Sequence, residues 1–143
     1  MDYPETFLRG IPNNSFIDED GHPATHLFYI ETESKRKDDY KEESIFWKDD
    51  DRAVDLILLQ KKADDSIQFQ AGAAVLNRDQ IDRIKNQVQA KNKFNYERKK
   101  QPGNPYHGNL LLKKDVKKPL MIRIAASIAL TCSEIIPNKN ILK

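Results

Sequence analysis

The sequence predicts an α+β fold: a single layered domain in which a mixed, mainly antiparallel sheet of about five strands carries three helices. Three observations lead there. Short segments rich in aromatic and β-branched residues alternate with a period of two. Three other segments carry apolar residues at helical spacing, and several joins are short enough to be hairpins. The 143 residues suffice for one domain, 1–143, and no Gly/Ser-rich or Pro-rich linker divides them.

The elements follow in order. The turn residues Asp18 to Pro23 lead into HLFYIE, His26 to Glu31, whose composition predicts a strand. ETESKRKDDYKEES, residues 31–44, is almost free of apolar side chains and predicts a charged surface loop within the domain. SIFWK, Ser44 to Lys48, predicts a second short strand. DDDRAVDLILLQKK admits a buried strand from Val54 to Leu59 or a helix, and the helix is favoured. Asp50 or Asp51 can cap it, Lys61 and Lys62 close it in keeping with the macrodipole, and Ala53, Leu56, Ile57 and Leu59 form an apolar stripe.

SIQFQAGAAVL alternates Ile67, Phe69 and Ala71 with Gln68, Gln70 and Gly72, as a half-buried strand does. Asn77 caps NRDQIDRIKNQVQAKN, a helix with Ile81, Ile84 and Val88 on its inner face. FNYERKK sets Phe94 and Tyr96 against Asn95 and Glu97 as a strand, and QPGNPYHG joins it to the strand NLLLKK. Pro119 opens the last helix. Its apolar stripe of Met121, Ile124, Ala125, Ile128, Cys132 and Ile135 predicts a core helix that runs to Pro137. The resulting order, β-β-α-β-α-β-β-α, predicts a sheet with its helices gathered on one side.

Composition narrows the function classes. Hydrophobic residues at 38% and charged residues at 32% describe a solvated globular protein, too apolar for a disordered chain. PLMIRIAASIAL is too short to span a bilayer, so no membrane association is expected. The start, MDYPETFLRG, lacks the basic-then-apolar order of a secretion signal. Cys132 stands alone, which rules out an internal disulfide and a cysteine-rich zinc site. The cytoplasm is the expected location.

The net charge of +2 hides a division. Residues 1–82 carry 10 Lys+Arg and 19 Asp+Glu (−9), and residues 83–143 carry 14 and 3 (+11), which together restore +2. Either the halves neutralise each other, or the basic half faces phosphate or an acidic partner.

Candidate sites cluster around NPYHGN. Pro102, Gly103, Asn104, Pro105, Gly108 and Asn109 are turn formers, whereas Tyr106 and His107 do not follow from turn needs. Arg98, Lys99, Lys100, Tyr106, His107, Asn109, Lys113 and Lys114 form the predicted binding set around this hairpin. His107, Tyr106 and Arg98 would also serve proton transfer and phosphorane stabilisation in metal-free RNA cleavage.

Two acid or histidine groups read as structural. His22 and His26 stand at i, i+4, but Gly21 and Pro23 argue against a shared helical face. Asp49, Asp50, Asp51 and Asp55 have the chemistry for Mg²⁺, but helix capping explains at least one of them without it, and three consecutive side chains converge on one ion only where the backbone turns sharply. No metal and no cofactor is expected.

The expected function is a small cytoplasmic, non-enzymatic binding or accessory module. It would contact a larger protein, or nucleic acid, through its basic C-terminal half and the 99–109 loop. The alternative is a small metal-independent ribonuclease-like enzyme of the toxin type, centred on His107.

Overall fold

Alternating side chains on β-strands must bury one face or both, and here two strands, Thr6–Ile11 and His107–Lys113, bury both. The computed structural model describes residues 3–32 and 38–140. Among them the elements are β1 (Thr6–Ile11), β2 (Tyr40–Trp47), α1 (Arg52–Leu59), β3 (Gly72–Asn77), α2 (Arg78–Lys85), β4 (Phe94–Arg98), β5 (His107–Lys113), α3 (Lys118–Leu130) and β6 (Glu134–Ile136). The six strands form one sheet in the order β4-β5-β2-β1-β3-β6, and every neighbouring pair is antiparallel. The fold is α+β. No helix among the described residues is long and apolar enough to cross a membrane.

Each sheet face has its own cover. On one face Phe7, Ile11, Ile45, Trp47, Leu76, Leu110 and Leu112 pack with Ile81 and Ile84 of α2 and with Met121, Ile124 and Ile128 of α3. On the other, Leu8, Phe46 and Ala73 pack with Ala53, Ile57 and Leu58 of α1, together with Phe69 and Tyr106. The helices therefore lie on both sides of the sheet, not on one. The cause is the α1 stripe, which needs a second apolar sheet face, and Leu8, Phe46 and Ala73 provide it.

β1 was not anticipated, and it sits in the middle of the sheet. Phe7, Leu8 and Ile11 are all fully buried, so the period-two contrast of a half-buried strand is missing. Arg9 also interrupts the apolar run. Its guanidinium is buried, donating Nε to the Leu27 carbonyl at 3.1 Å and meeting Glu43 Oε1 at 2.9 Å. Burial lowers the Arg9 pKa and raises that of Glu43, outweighing their mutual attraction in both cases.

Other segments depart from expectation for local reasons. HLFYIE is not a strand: Thr25–Phe28 forms a 3-10 turn with Leu27 and Phe28 buried in the α3 side of the core. β2 begins at Tyr40, inside the expected 31–44 loop, and Thr32 bridges to Glu42, while residues 33–37 lie outside the described ones. The strand expected from Ser66 starts only at Gly72, because the Ile67–Ala71 stretch bends to place Phe69 beneath α1. At Gly72 the backbone takes φ +118°, a conformation suited to glycine.

Asn77 caps α2 as expected, its side chain accepting from Gln80 N at 3.2 Å. The helix ends at Lys85, however, and Val88 is 93% exposed. α3 ends at Leu130, where Thr131 donates its hydroxyl to the Ile128 carbonyl at 2.7 Å. Cys132 and Ile135 thus leave the helix, and Glu134–Ile136 becomes β6, satisfying the open edge of β3.

Candidate functional site

β5 decides where the predicted site residues fall. His107 begins the strand and Lys113 ends it, about 20 Å apart at the usual strand rise. The expected single cluster is therefore split into two places with different chemistry.

At the first place, the corner between β4 and β5, the charges are already satisfied. Arg98 forms an ion pair with Asp49, its Nη1 reaching Oδ1 at 2.9 Å. Tyr106 is buried against α1 and donates its hydroxyl to Asp50 Oδ1 at 2.8 Å, a bond that raises the pKa of the phenol. Asp50 Oδ1 also accepts from Arg52 N at the start of α1. The acidic half thus neutralises the basic half here.

His107 is not on a loop tip. It is 5% exposed and lies within the sheet, opposite Phe46 of β2. Its Nδ1 is 2.8 Å from the Lys99 carbonyl and its Nε2 is 3.2 Å from Ser44 Oγ. A carbonyl can only accept, so Nδ1 carries a proton, and in the neutral ring Nε2 accepts from the serine hydroxyl. Both ring nitrogens are engaged within the fold. Two residues on, Asn109 is fully buried and donates Nδ2 to Glu97 Oε2 at 2.7 Å, while its Oδ1 has no hydrogen-bond partner among the described residues.

Gly108 also has a different role from the turn chemistry expected of it. Its φ is not positive. A Cβ there would meet the Glu97 carbonyl and Trp47 Nε1, each at 2.4 Å. The missing side chain leaves room for the Trp47 indole to donate to Glu97 O at 3.1 Å across the strand. Of the predicted set at this end, Lys99 and Lys100 alone are exposed and point to solvent.

The second place is different. An open groove of about 610 Å³ is lined by Lys91, Asn92, Lys93, Lys113 and Lys114, together with two carboxylates, Asp39 and Asp115. Lys93 directly precedes β4, and Lys113 ends β5. Their backbones join through Lys113 N to Lys93 O at 2.9 Å, so two like charges stand opposite each other across the ladder. Lys113 Nζ lies 4.8 Å from the Tyr40 ring centroid, and that cation–π contact fixes its direction. Asn92 adopts φ +64° and makes the turn that separates Lys91 from Lys93. Among the described residues no carboxylate forms an ion pair with Lys91, Lys93, Lys113 or Lys114.

A second groove of about 450 Å³ shares Lys91, Asn92 and Lys113 with the first and adds Tyr40, Lys85, Asn86, Phe94 and Asn95. Lys85 Nζ lies 4.4 Å from the Tyr96 ring centroid. Tyr96 donates its hydroxyl to Asp82 Oδ1 at 2.7 Å, and burial, followed by that bond, pushes its pKa well above the ordinary range. Phe94 is buried and Tyr96 packs against the core, so these rings are not free platforms for stacking.

Sequence reasoning named Lys113 and Lys114 but attached them to the wrong end of β5. It did not assemble Lys85, Asn86, Lys91, Asn92, Lys93 and Asn95 into a site. Counting the hairpin register outward from NPYHGN would have paired Lys93 with Lys113.

The remaining candidates stay apart. Asp18 Oδ1 accepts from Asp20 N and His22 N, while His26 stacks on Phe16 with centroids 4.4 Å apart. Asp49 and Asp50 are held by Arg98 and Tyr106, and Asp51 lies 3.6 Å from Lys48 Nζ. Among the described residues no three His, Cys, Asp or Glu side chains converge as a metal cluster would. Cys132 donates its thiol to the Glu134 carbonyl at 3.2 Å, and burial raises its pKa. No family model, curated protein or solved structure matches the chain.

Proposed function

We propose that this protein is a non-enzymatic binding module, an accessory component whose basic C-terminal half holds a phosphate-bearing polyanion. The contact is made through the groove of Lys91, Lys93, Lys113 and Lys114. One observation carries the reading: four ammonium groups from two chain segments surround one open groove and have no ion-pair partner among the described residues. Like charges at cross-strand positions lower stability, and a polyanion relieves that repulsion while releasing its own counterions. Lys99 and Lys100 extend the basic surface at the other end of β5 and contribute less. A cytoplasmic location belongs to the same proposal, supported by a single, half-buried cysteine that has no disulfide partner in the sequence.

Fluorescence anisotropy with heparin and with labelled nucleic acid, repeated over a salt series, tests the proposal. Binding should weaken steeply with salt. Lys93→Glu combined with Lys113→Glu should remove most of it, and the milder Lys93→Ala with Lys113→Ala should lower the salt slope by about two. Lys99→Glu with Lys100→Glu should have the smaller effect. Wild-type protein that binds neither heparin nor nucleic acid at low ionic strength would overturn the proposal.

A further inference from the structure

Resting on the polyanion reading, we infer that the two contiguous grooves form a site for single-stranded nucleic acid. Lysines hold the backbone in the first groove, and amide side chains contact an unpaired base or sugar in the second. The two grooves differ in chemistry. The first presents Lys91, Lys93, Lys113 and Lys114. The second presents the side-chain amides of Asn86, Asn92 and Asn95 beside the Tyr40 ring, with Lys85 at its wall.

A simple polyanion needs cations alone. Amides add both donors and acceptors in one planar group, which matches the hydrogen-bonding edges of bases and the ribose hydroxyl. The second groove, at about 450 Å³, lies within the roughly 300–1,000 Å³ of small-ligand sites. A flipped-out nucleotide fits that scale, and a duplex with its bases stacked inside does not.

The backbone conformations favour display of these amides. Asn86 follows the last residue of α2, where its backbone N–H caps the Asp82 carbonyl and leaves its side chain exposed. Asn92 holds a left-handed conformation and is also exposed. Asn95 is turned so that its Oδ1 accepts from Tyr96 N at 2.9 Å, which leaves the Nδ2 donors for a ligand. Since Phe94 and Tyr96 are packed into the core, hydrogen bonds and charge do the work that ring stacking does in other single-strand sites.

The test compares three probes on the intact chain: a short mixed-sequence single strand, the corresponding duplex, and inorganic polyphosphate. Asn86→Ala removes an amide that lines the second groove and not the first. The thermal midpoint of the variant confirms that the fold persists. The expected result is single-strand binding weakened about tenfold in this variant, with polyphosphate binding unchanged. Wild type should also prefer the single strand to the duplex. Equal affinity for all three probes, unaffected by the amide substitution, would overturn this inference and leave the polyanion reading intact. An acidic polypeptide that outcompetes the single strand would also overturn it, in favour of a protein partner. Failure of wild type to bind any of the probes at low salt would remove both readings.

Discussion

His107 shows how burial changes what a polar side chain is for. A histidine between turn residues suggested a displayed imidazole, but two residues of strand extension take the ring into the sheet at 5% exposure. There it links three segments: its own strand, the Lys99 carbonyl past the end of β4, and Ser44 on β2. Removing it takes the donor from the Lys99 carbonyl and leaves the space of a buried ring unfilled, which together cost about 1–3 kcal/mol. His107→Ala should therefore shift the urea midpoint downward by an amount corresponding to that loss. Polyanion affinity, measured on the folded fraction, should stay within about twofold, because the lysine groove lies at the far end of the strand. A large affinity loss at unchanged stability would return His107 to the binding site. Its identity was legible in the sequence, whereas its burial depended on a strand boundary that turn residues obscure.

At the level of elements, the sequence was most informative where one face alone is buried. α1 buried Ala53 and Ile57 of its expected stripe, although Leu58 took the inner place and Leu59 is 52% exposed; Asn77 capped α2, and Phe94 with Tyr96 alternated against Asn95 and Glu97 in β4. It was least informative where both faces are buried, as in β1, or where the chain leaves an element early. Val88 continues the α2 period in sequence, yet the helix stops three residues before it. Ile135 continues the α3 period, yet it pairs with Ala74 in β6. In the second case a tertiary partner overrode a local repeat. The candidate site was legible only in part for the same reason. Lysine positions can be read directly, but which of them meet depends on hairpin register.

Two substitutions separate a true core position from an apparent one. Ile128 is fully buried on α3, so Ile128→Asp should cost at least about 3–5 kcal/mol and leave little folded protein in a thermal melt. Val88 is almost fully exposed, so Val88→Lys should change stability by no more than about 0.5 kcal/mol. Equal damage from the two would mean that α2 runs on to Asn92 as its periodicity suggests.

For the whole molecule, the opposed charges of the two chain halves resolve by geography. Asp49 and Asp50 quench Arg98 and engage Tyr106 at one end of β5, and among the described residues the lysines at the other end have no ion-pair partner. The same region contains an outer strand, β4, whose N–H groups at Phe94, Tyr96 and Arg98 point away from β5 in the observed register. Two of those three are engaged from within. Phe94 N donates to the Ala90 carbonyl at 3.1 Å, and Tyr96 N donates to the Asn95 side chain. An incoming chain therefore finds few donors free, and the flanking Lys93, Lys99 and Lys100 would repel a second copy of this edge. The other border, β6, is only three residues long and is followed by Pro137. Asn95 thus acts as a guard against self-templating, separate from any part it has in holding a ligand. Asn95→Val should uncover the Tyr96 N–H and add a β-favouring side chain, raising concentration-dependent association in light scattering. A molecule with both borders blunted can crowd at high local concentration without its neighbours fusing into a continuous sheet.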